Sequence, residues 1–396
     1  MQRKLIAEGK IMLELQDPES FRVATGDYVP SLAEVFYNPK MELCRDISVA
    51  VAQVISRKIW PLKICDPLAG VGVRGLRYAA EVSGVSEVVL NDISEKAEKA
   101  ILRNMELNGI RSEVHREDAS SLLWKNRGRF NLIDIDPFGS PAPFLDAAFG
   151  ALRKKALLAI TATDTAPLCG AQKKACLRRY GAVPIRTEYC RELGVRILIG
   201  FAQRVAGKHE IAIRPILSHA TEHYFRVYLY AERGAKKADE AIKNLGWISH
   251  CFVCGRRYIS KSFALANPSK CYCGGKLSHA GPLWTGPIED GEFIGEVLKD
   301  VVRRSFRLAS MEINLLTRLM EEAQGPPTFY DVNQLARTFK TRSPKMEKLL
   351  KSIRGAGFHA SRTHFSPTGF RTTAPYEAIA EIMKNDCHSN LSKIGD

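Results

Sequence analysis

The chain is short of acids. Against 58 Lys and Arg stand 43 Asp and Glu, giving a net charge of +15 at pH 7 and a pI near 9.4. It also has no long apolar run. Stretches such as RILIGFA at 196–202 fall far short of the roughly 20 residues that cross a bilayer, which excludes a helical membrane protein. The opening MQRKLIAEGK lacks an apolar block with a small-residue cleavage site, so no signal peptide is expected and the expected location is cytoplasmic. Cysteine is sparse too. Six of the ten are scattered singly and four fall together, at 251, 254, 271 and 273. That excludes a secreted disulfide scaffold and suggests a reduced protein with one metal cluster. No internal repeat or low-complexity segment is present. What remains is an ordinary globular composition, 45% hydrophobic and 26% charged, in a chain long enough for two or more domains. The excess of bases favours a polyanionic partner.

From about residue 45 to 230, short apolar runs alternate with helical ones. LKICDP (62–67), SEVVLND (86–92), EVHRED (113–118), NLIDID (131–136) and ALLAITATD (156–164) read as strands. SEKAEKAILRNMELN (94–108) and PFLDAAFGALRKK (143–155) read as helices. This alternation predicts an α/β fold with a mostly parallel, doubly wound sheet. HYFRVYLYAE (223–232) is expected as a later antiparallel strand. The character changes after ERGAKKADEA (232–241), which sets the expected boundary between a domain at 1–231 and another at 232–396. The second holds a cysteine module at about 247–281 and a long helical stretch from 292 to 323. A winged-helix-like outline spans 327–376.

Gly70, Gly72 and Gly75 spell G-x-G-x-x-G after a strand and before a helix, and Asp92 ends the next strand about twenty residues on. The pattern predicts a nucleotide site in which the acid grips ribose hydroxyls. It leaves a nicotinamide dinucleotide and S-adenosylmethionine both open. Asp66, Asp92, Asp118 and Asp136 all stand at or near strand ends that line one crevice. Four carboxylates there repel a pyrophosphate and welcome a cationic sulfonium. Arg74, inside the glycine turn, is placed to pair with a carboxylate. The methyl donor is the better reading, with an NAD-dependent dehydrogenase as its rival.

NLIDIDPFGSP at 131–141 puts an acid, a turn and an aromatic ring at the mouth of a strand. An exocyclic base amine is a poor nucleophile, because its lone pair is delocalised. Asp136 and the Pro137 carbonyl can hold its N–H groups, and Asp136 can take the departing proton. Phe138 offers a face for an extruded base, worth about 1–3 kcal/mol in stacking.

DIDPFGSP, together with VFYNPKMELCRDI, NDIS, TATDTAPLCG, RILIGFA and RTHFSPTG, resembles the tRNA (guanine-N2)-dimethyltransferases that modify guanosine 26. The resemblance runs from about residue 35 to 376. It implies a Rossmann-like class I methyltransferase sheet, S-adenosylmethionine as donor, tRNA as substrate, and stepwise mono- then dimethylation. It further implies that Arg45 and Arg74 hold the methionine carboxylate, that Asp92 takes the ribose, and that Asp118 with Ala119 meets the adenine. By the same likeness Asp136 is catalytic, and Phe36 sandwiches guanine against Phe138. Methylation of another base amine, in RNA or DNA, is the nearest alternative.

CFVC and CYC are expected to converge on a structural zinc, with Cys251, Cys254, Cys271 and Cys273 as ligands and His250 or His279 as possible replacements. A redox pair is the other reading. Between Arg337 and Arg371 lie nine Lys/Arg and one acid, Glu347. Lys345, Lys348, Lys351 and Arg354 fall on one helical stripe. With Arg362 and Arg371 they are expected to contact the RNA backbone. No membrane and no obligate protein partner is indicated. A non-enzymatic nucleic-acid binder would leave the strand-end acids unexplained.

Overall fold

Strands rich in Val, Ile and Leu form the centre of the molecule, a computed structural model describing residues 3–21 and 33–388. A hairpin comes first, β1 (Arg3–Glu8) with β2 (Ile11–Gln16). The central sheet follows: β3 (Leu62–Asp66), β4 (Val85–Asn91), β5 (Glu113–His115), β6 (Phe130–Ile135), β7 (Leu152–Ala162), β8 (Ile211–Thr221) and β9 (Tyr224–Arg233). Their order is β5-β4-β3-β6-β7-β9-β8. The first five in that order are parallel, and β9 runs antiparallel to both β7 and β8. The sheet is therefore mixed, with the antiparallel strand expected near 223–232 in place. The chain winds outward from β3 to β5, then returns to the other side of β3 at β6. A crevice opens at such a reversal, outside the carboxyl ends of the two strands.

Both faces of the sheet are covered. Ile133 and Ile135 pack with Val89, Phe149 and Leu158 on one side. Leu132, just before them, packs with Ile64, Leu90 and Leu157 on the other. Period-two alternation explains this division, and each fully buried aliphatic side chain contributes about 1.5–3 kcal/mol.

Two expectations shift. The helix read at 143–155 stops at Ala151, and the strand begins at Leu152. Leu152 pairs with Phe130, so sheet register overrides the helical preference of the exposed Arg153, Lys154 and Lys155. The long helical stretch is two helices, Gly291–Arg303 and Ala309–Glu322. They fold back so that Val297, Val301, Leu316 and Leu319 share a core with Ile47, Val51 and Ile55 of the helix Glu42–Ser56. A single straight helix could not bury both apolar stripes on that one surface.

A three-stranded sheet follows residue 244: β10 (Leu245–Cys251), β11 (Arg257–Ser260) and β12 (Leu277–Trp284), ordered β11-β10-β12. Gly200, in the helix Cys190–Lys208, lets β12 approach so closely that a Cβ there would lie 2.9 Å from the Leu283 Cα. The last unit has its own core, including Leu335, Leu349, Ile353, Phe370 and Met383. It comprises β13 (Tyr330–Asp331), helices Val332–Phe339 and Met346–Gly355, β14 (Ala360–Arg362), β15 (Gly369–Thr372) and the helix Tyr376–His388.

Arg371 corrects the RNA-contact reading. Its side chain is buried, and it donates to Glu192 at 3.1 Å and to Glu322 at 2.9 Å. A charge so enclosed serves two interior carboxylates. Among the described residues, no helix is long and apolar enough to cross a membrane.

Candidate active site

β3 ends at Asp66, which is not open to the crevice as expected but buried beneath it, accepting from Gly75 N–H at 3.1 Å, and the chain then turns through the three glycines. Gly70 (φ 55°) and Gly72 (φ 82°) occupy left-handed conformations that disfavour other residues. Gly75 has a different reason. A Cβ there would lie 2.3 Å from Leu90 Cδ2, so only glycine lets the helix Val73–Glu81 rest on β4. The turn is tied to the next strand. Ala69 N–H donates to Asn91 O at 2.8 Å, and Gly70 N–H donates to Asp92 Oδ2 at 2.9 Å. Asp92 Oδ1 accepts from Ser94 N–H at 3.0 Å. Each carboxylate oxygen keeps acceptor capacity for hydroxyls. Ile93 beside it is 73% exposed, an apolar surface at the crevice.

The other predicted acids differ in environment. Asp118 is exposed and caps the helix Ala119–Lys125, accepting from Ser121 N–H at 2.8 Å, with Ala119 buried behind it. Asp66 is buried. Desolvation, together with the nearby charge of Asp134, pushes its carboxyl up to about 7.

Asp136 leaves the end of β6 half-buried, and its Oδ2 is paired with Arg74. Oδ1 is left to accept an N–H. Phe138, two residues on, is 69% exposed. An open ring of this size next to an acid, on an otherwise well-packed strand end, is the arrangement a planar ligand needs. Gly139 anchors the loop, its N–H donating to Thr163 Oγ1 at 2.7 Å while Thr163 N–H donates back at 3.0 Å. Ser140 donates to the Tyr180 hydroxyl at 2.7 Å, and that hydroxyl donates to Asp164 at 2.6 Å. Phe36 does meet Phe138. Their centroids are 4.2 Å apart at an interplanar angle of 83°. Such edge-to-face contact leaves no gap for a base between them, so a sandwich requires one ring to move aside.

The two arginines are engaged with protein carboxylates. Arg45 donates through Nε and Nη2 to the two oxygens of Glu8, both at 2.6 Å. Arg74 donates to Ser48 Oγ at 2.9 Å and sits 3.6 Å from Asp134, besides its pairing with Asp136. A two-pronged grip on a ligand carboxylate would require either to exchange a partner.

Sequence reasoning missed what lies beneath. Arg226 on β9 donates to both oxygens of the fully buried Asp134, and the Tyr78 hydroxyl adds a third bond at 2.6 Å. Burial alone raises the Asp134 carboxyl, but Arg226 and Arg74 outweigh it and hold it below its usual range. The signal was a lone cation inside the apolar run YFRVYLY. Glu8 gave no comparable signal.

Away from the crevice, the sulfurs of Cys251, Cys254, Cys271 and Cys273 all lie within 4.8 Å of one another, two pairs at 3.5 and 3.6 Å. A zinc bonded at about 2.3 Å to four sulfurs sets edges of about 3.8 Å, so the residues fit a tetrahedral ion. His250 and His279 are occupied, by the Tyr189 hydroxyl and by Ser249. In the last unit Lys345, Lys351 and Arg354 are exposed, while Leu349, Leu350 and Ile353 face the core. Arg362 pairs with Glu347.

The family described as N2,N2-dimethylguanosine tRNA methyltransferase matches residues 10–384. A tRNA (guanine(26)-N(2))-dimethyltransferase of Methanobrevibacter smithii is 42% identical over 390 residues, 98% of each chain. One from Methanothermobacter thermautotrophicus is 42% identical, across 92% of this chain and 96% of its own. Among solved structures, Trm1 from Pyrococcus horikoshii in complex with S-adenosyl-L-methionine is 35% identical, with a TM-score of 0.85, over 96% of this chain and 99% of its own. The crevice, the glycine turn and the Asp-Pro-Phe loop thus sit in a chain that belongs to the N2,N2-dimethylguanosine tRNA methyltransferase family.

Proposed function

We propose that this protein transfers methyl groups from S-adenosylmethionine to the N2 amine of guanosine 26 in tRNA, giving first N2-methyl- and then N2,N2-dimethylguanosine. One observation carries the reading. An acid and an exposed ring, Asp136 and Phe138, stand together at the strand reversal beside a glycine turn. The donor, when bound, supplies a methyl group already activated by its cationic sulfur. The protein must then hold the base and take a proton.

Asp92 suits the ribose hydroxyls, Asp118 and Ala119 the adenine, and Arg45 and Arg74 the methionine carboxylate. Arg74 has a second consequence here. Turning to that carboxylate, it releases Asp136 Oδ2, so donor binding readies the acid for the base. Phe138 and Phe36 receive the extruded guanine, and Asp136 with the Pro137 carbonyl fixes its amine. The nitrogen bonds the methyl carbon as the sulfur–carbon bond breaks, and the N–H proton passes to Asp136. Crowded carboxylates in a low-dielectric cleft also favour a cationic donor over a pyrophosphate.

The winged-helix-like unit and its basic stripe position the tRNA through phosphates. Zinc, held by Cys251, Cys254, Cys271 and Cys273, is structural, since four thiolates leave no open position. Nucleoside mass spectrometry of tRNA treated with protein and S-adenosylmethionine tests the activity. Both methylated guanosines should appear and vanish when guanine 26 becomes adenine. Unmodified tRNA, or methylation elsewhere, rejects the reading.

A further inference from the structure

The cysteine cluster exposes what a merely structural module would hide. Phe252 follows Cys251 and Tyr272 precedes Cys273, and the sulfurs of those two cysteines are 3.5 Å apart. The two ring-bearing residues therefore belong to two thiol turns that converge on one cluster. Phe252 is 59% and Tyr272 88% exposed, and Val253, inside the first thiol turn, is also open to solvent. The rings lean on polar neighbours and leave most of their surface to solvent. Phe252 touches His250 at 4.6 Å, and Tyr272 lies 6.0 Å from the Arg256 guanidinium and 6.2 Å from Tyr258. A group of large exposed rings is uncommon on a protein surface and marks a contact.

Charge says which kind. Between Asn244 and Ile288 there are five Lys/Arg and no Asp or Glu. Arg256 and Arg257 are held by Glu377 and Glu188. Lys261, Lys270 and Lys276 are exposed, with no carboxylate partner among the described residues. Rings flanked by unpaired cations suit a strand that presents flat π-faces and phosphates together. A protein partner of matching charge would need an acidic apolar face. Duplex RNA offers no accessible base faces, because they are stacked within the helix.

We infer that the thiolate tip is a stacking platform for unpaired nucleotides of the tRNA, with Phe252 and Tyr272 as its faces and Lys270 and Lys276, bridged to each other beside the second thiol turn, as its phosphate contacts. This rests on the proposed tRNA reading and adds a further place where the substrate is held, apart from the catalytic crevice and the basic stripe of the last unit. The platform carries no chemistry. It selects for tRNA by requiring unstacked bases at a fixed position on the protein.

The test uses the full-length zinc-loaded protein. Phe252→Ala and Tyr272→Ala, singly and together, are first checked for unchanged zinc content and melting temperature. Each single substitution should weaken tRNA binding about ten-fold, as expected for the loss of one stacked base. The slope of log affinity against log salt should stay as in the parent, since no phosphate contact is lost. Tyr272→Phe should bind like the parent, and Lys270→Ala should lower the salt slope by about 1. Ultraviolet cross-linking should join tRNA to the peptide carrying Phe252 or Tyr272.

Affinity within two-fold of the parent for the double variant, with no cross-link at either ring, overturns the inference. So does dissociation of a dimer on substitution, which would make a second copy of the chain the occupant. Methyl transfer by the parent is measured in parallel. Its absence would fail the proposed function, whereas normal transfer with unaltered variants would fail the platform alone.

Discussion

Arg226 holds Asp134 in a two-pronged grip, at 2.7 and 2.6 Å, where neither side chain meets solvent. Removing one member strands the other's charge in the interior, which costs about 3–5 kcal/mol. Arg226→Met should therefore lower unfolding free energy by that much in urea titration. A loss under 1 kcal/mol would show that the pair is dispensable.

Asp136→Ala tests the acid directly. Loss of a positioned proton acceptor typically costs about 100- to 10,000-fold in rate. Turnover on tRNA should fall by that factor while calorimetry still detects S-adenosylmethionine. Unchanged turnover would remove Asp136 from the mechanism.

Glu8 gives the fold a pH dependence. Burial raises its carboxyl, but Arg45, Arg77 and Tyr37 outweigh that and hold it at about 2 against an ordinary 4.5. Because the folded value is the lower, the stabilisation is complete above about 4.5 and is lost as pH falls through 2. The shift is worth about 3 kcal/mol. Denaturant titrations between pH 2 and 6 should show that loss in the parent and not in Glu8→Gln. Parallel curves would refute it.

The thiolate cluster predicts about one zinc per chain. Cys254→Ser should lose the metal and lower the melting temperature, as should a strong chelator. Full zinc loss with an unmoved melting temperature would leave the ion without a structural role.

Lys345 and Lys351 stand exposed on the basic stripe. Replacing each by alanine should weaken tRNA binding and reduce the salt slope by about 1 per residue. An unchanged slope would place the RNA elsewhere.

Much of this molecule could be read from its residues, and the failures have physical causes. The strands announced themselves because buried parallel strands are continuous apolar runs, and the crevice followed from glycines and acids at strand ends. Distant partners did not show. Nothing near Asp134 in sequence announces Arg226, 92 positions on. Arg371 looked like surface charge because it closes a basic run, yet β15 turns it inward, toward Glu192 and Glu322. Arg45 was placed by motif likeness and Arg74 also by its seat in the glycine turn, and both signals are blind to the carboxylates of Glu8 and Asp136 that hold them here. The split helix at Arg304–Leu308 reflects a demand of the surface it covers, since its own residues favour continuation.

The Arg371 bond to Glu192 joins the last unit of the chain to a helix of the catalytic core. Cutting the chain ahead of Phe365 would deprive Glu192 and Glu322 of the cation they share, and would bare Phe329 and the place that Phe365 fills in the main core. The methylating half is therefore no detachable module. Its integrity depends on a strand 179 positions farther along the chain than the helix residue it braces, so damage to either unit is felt in both.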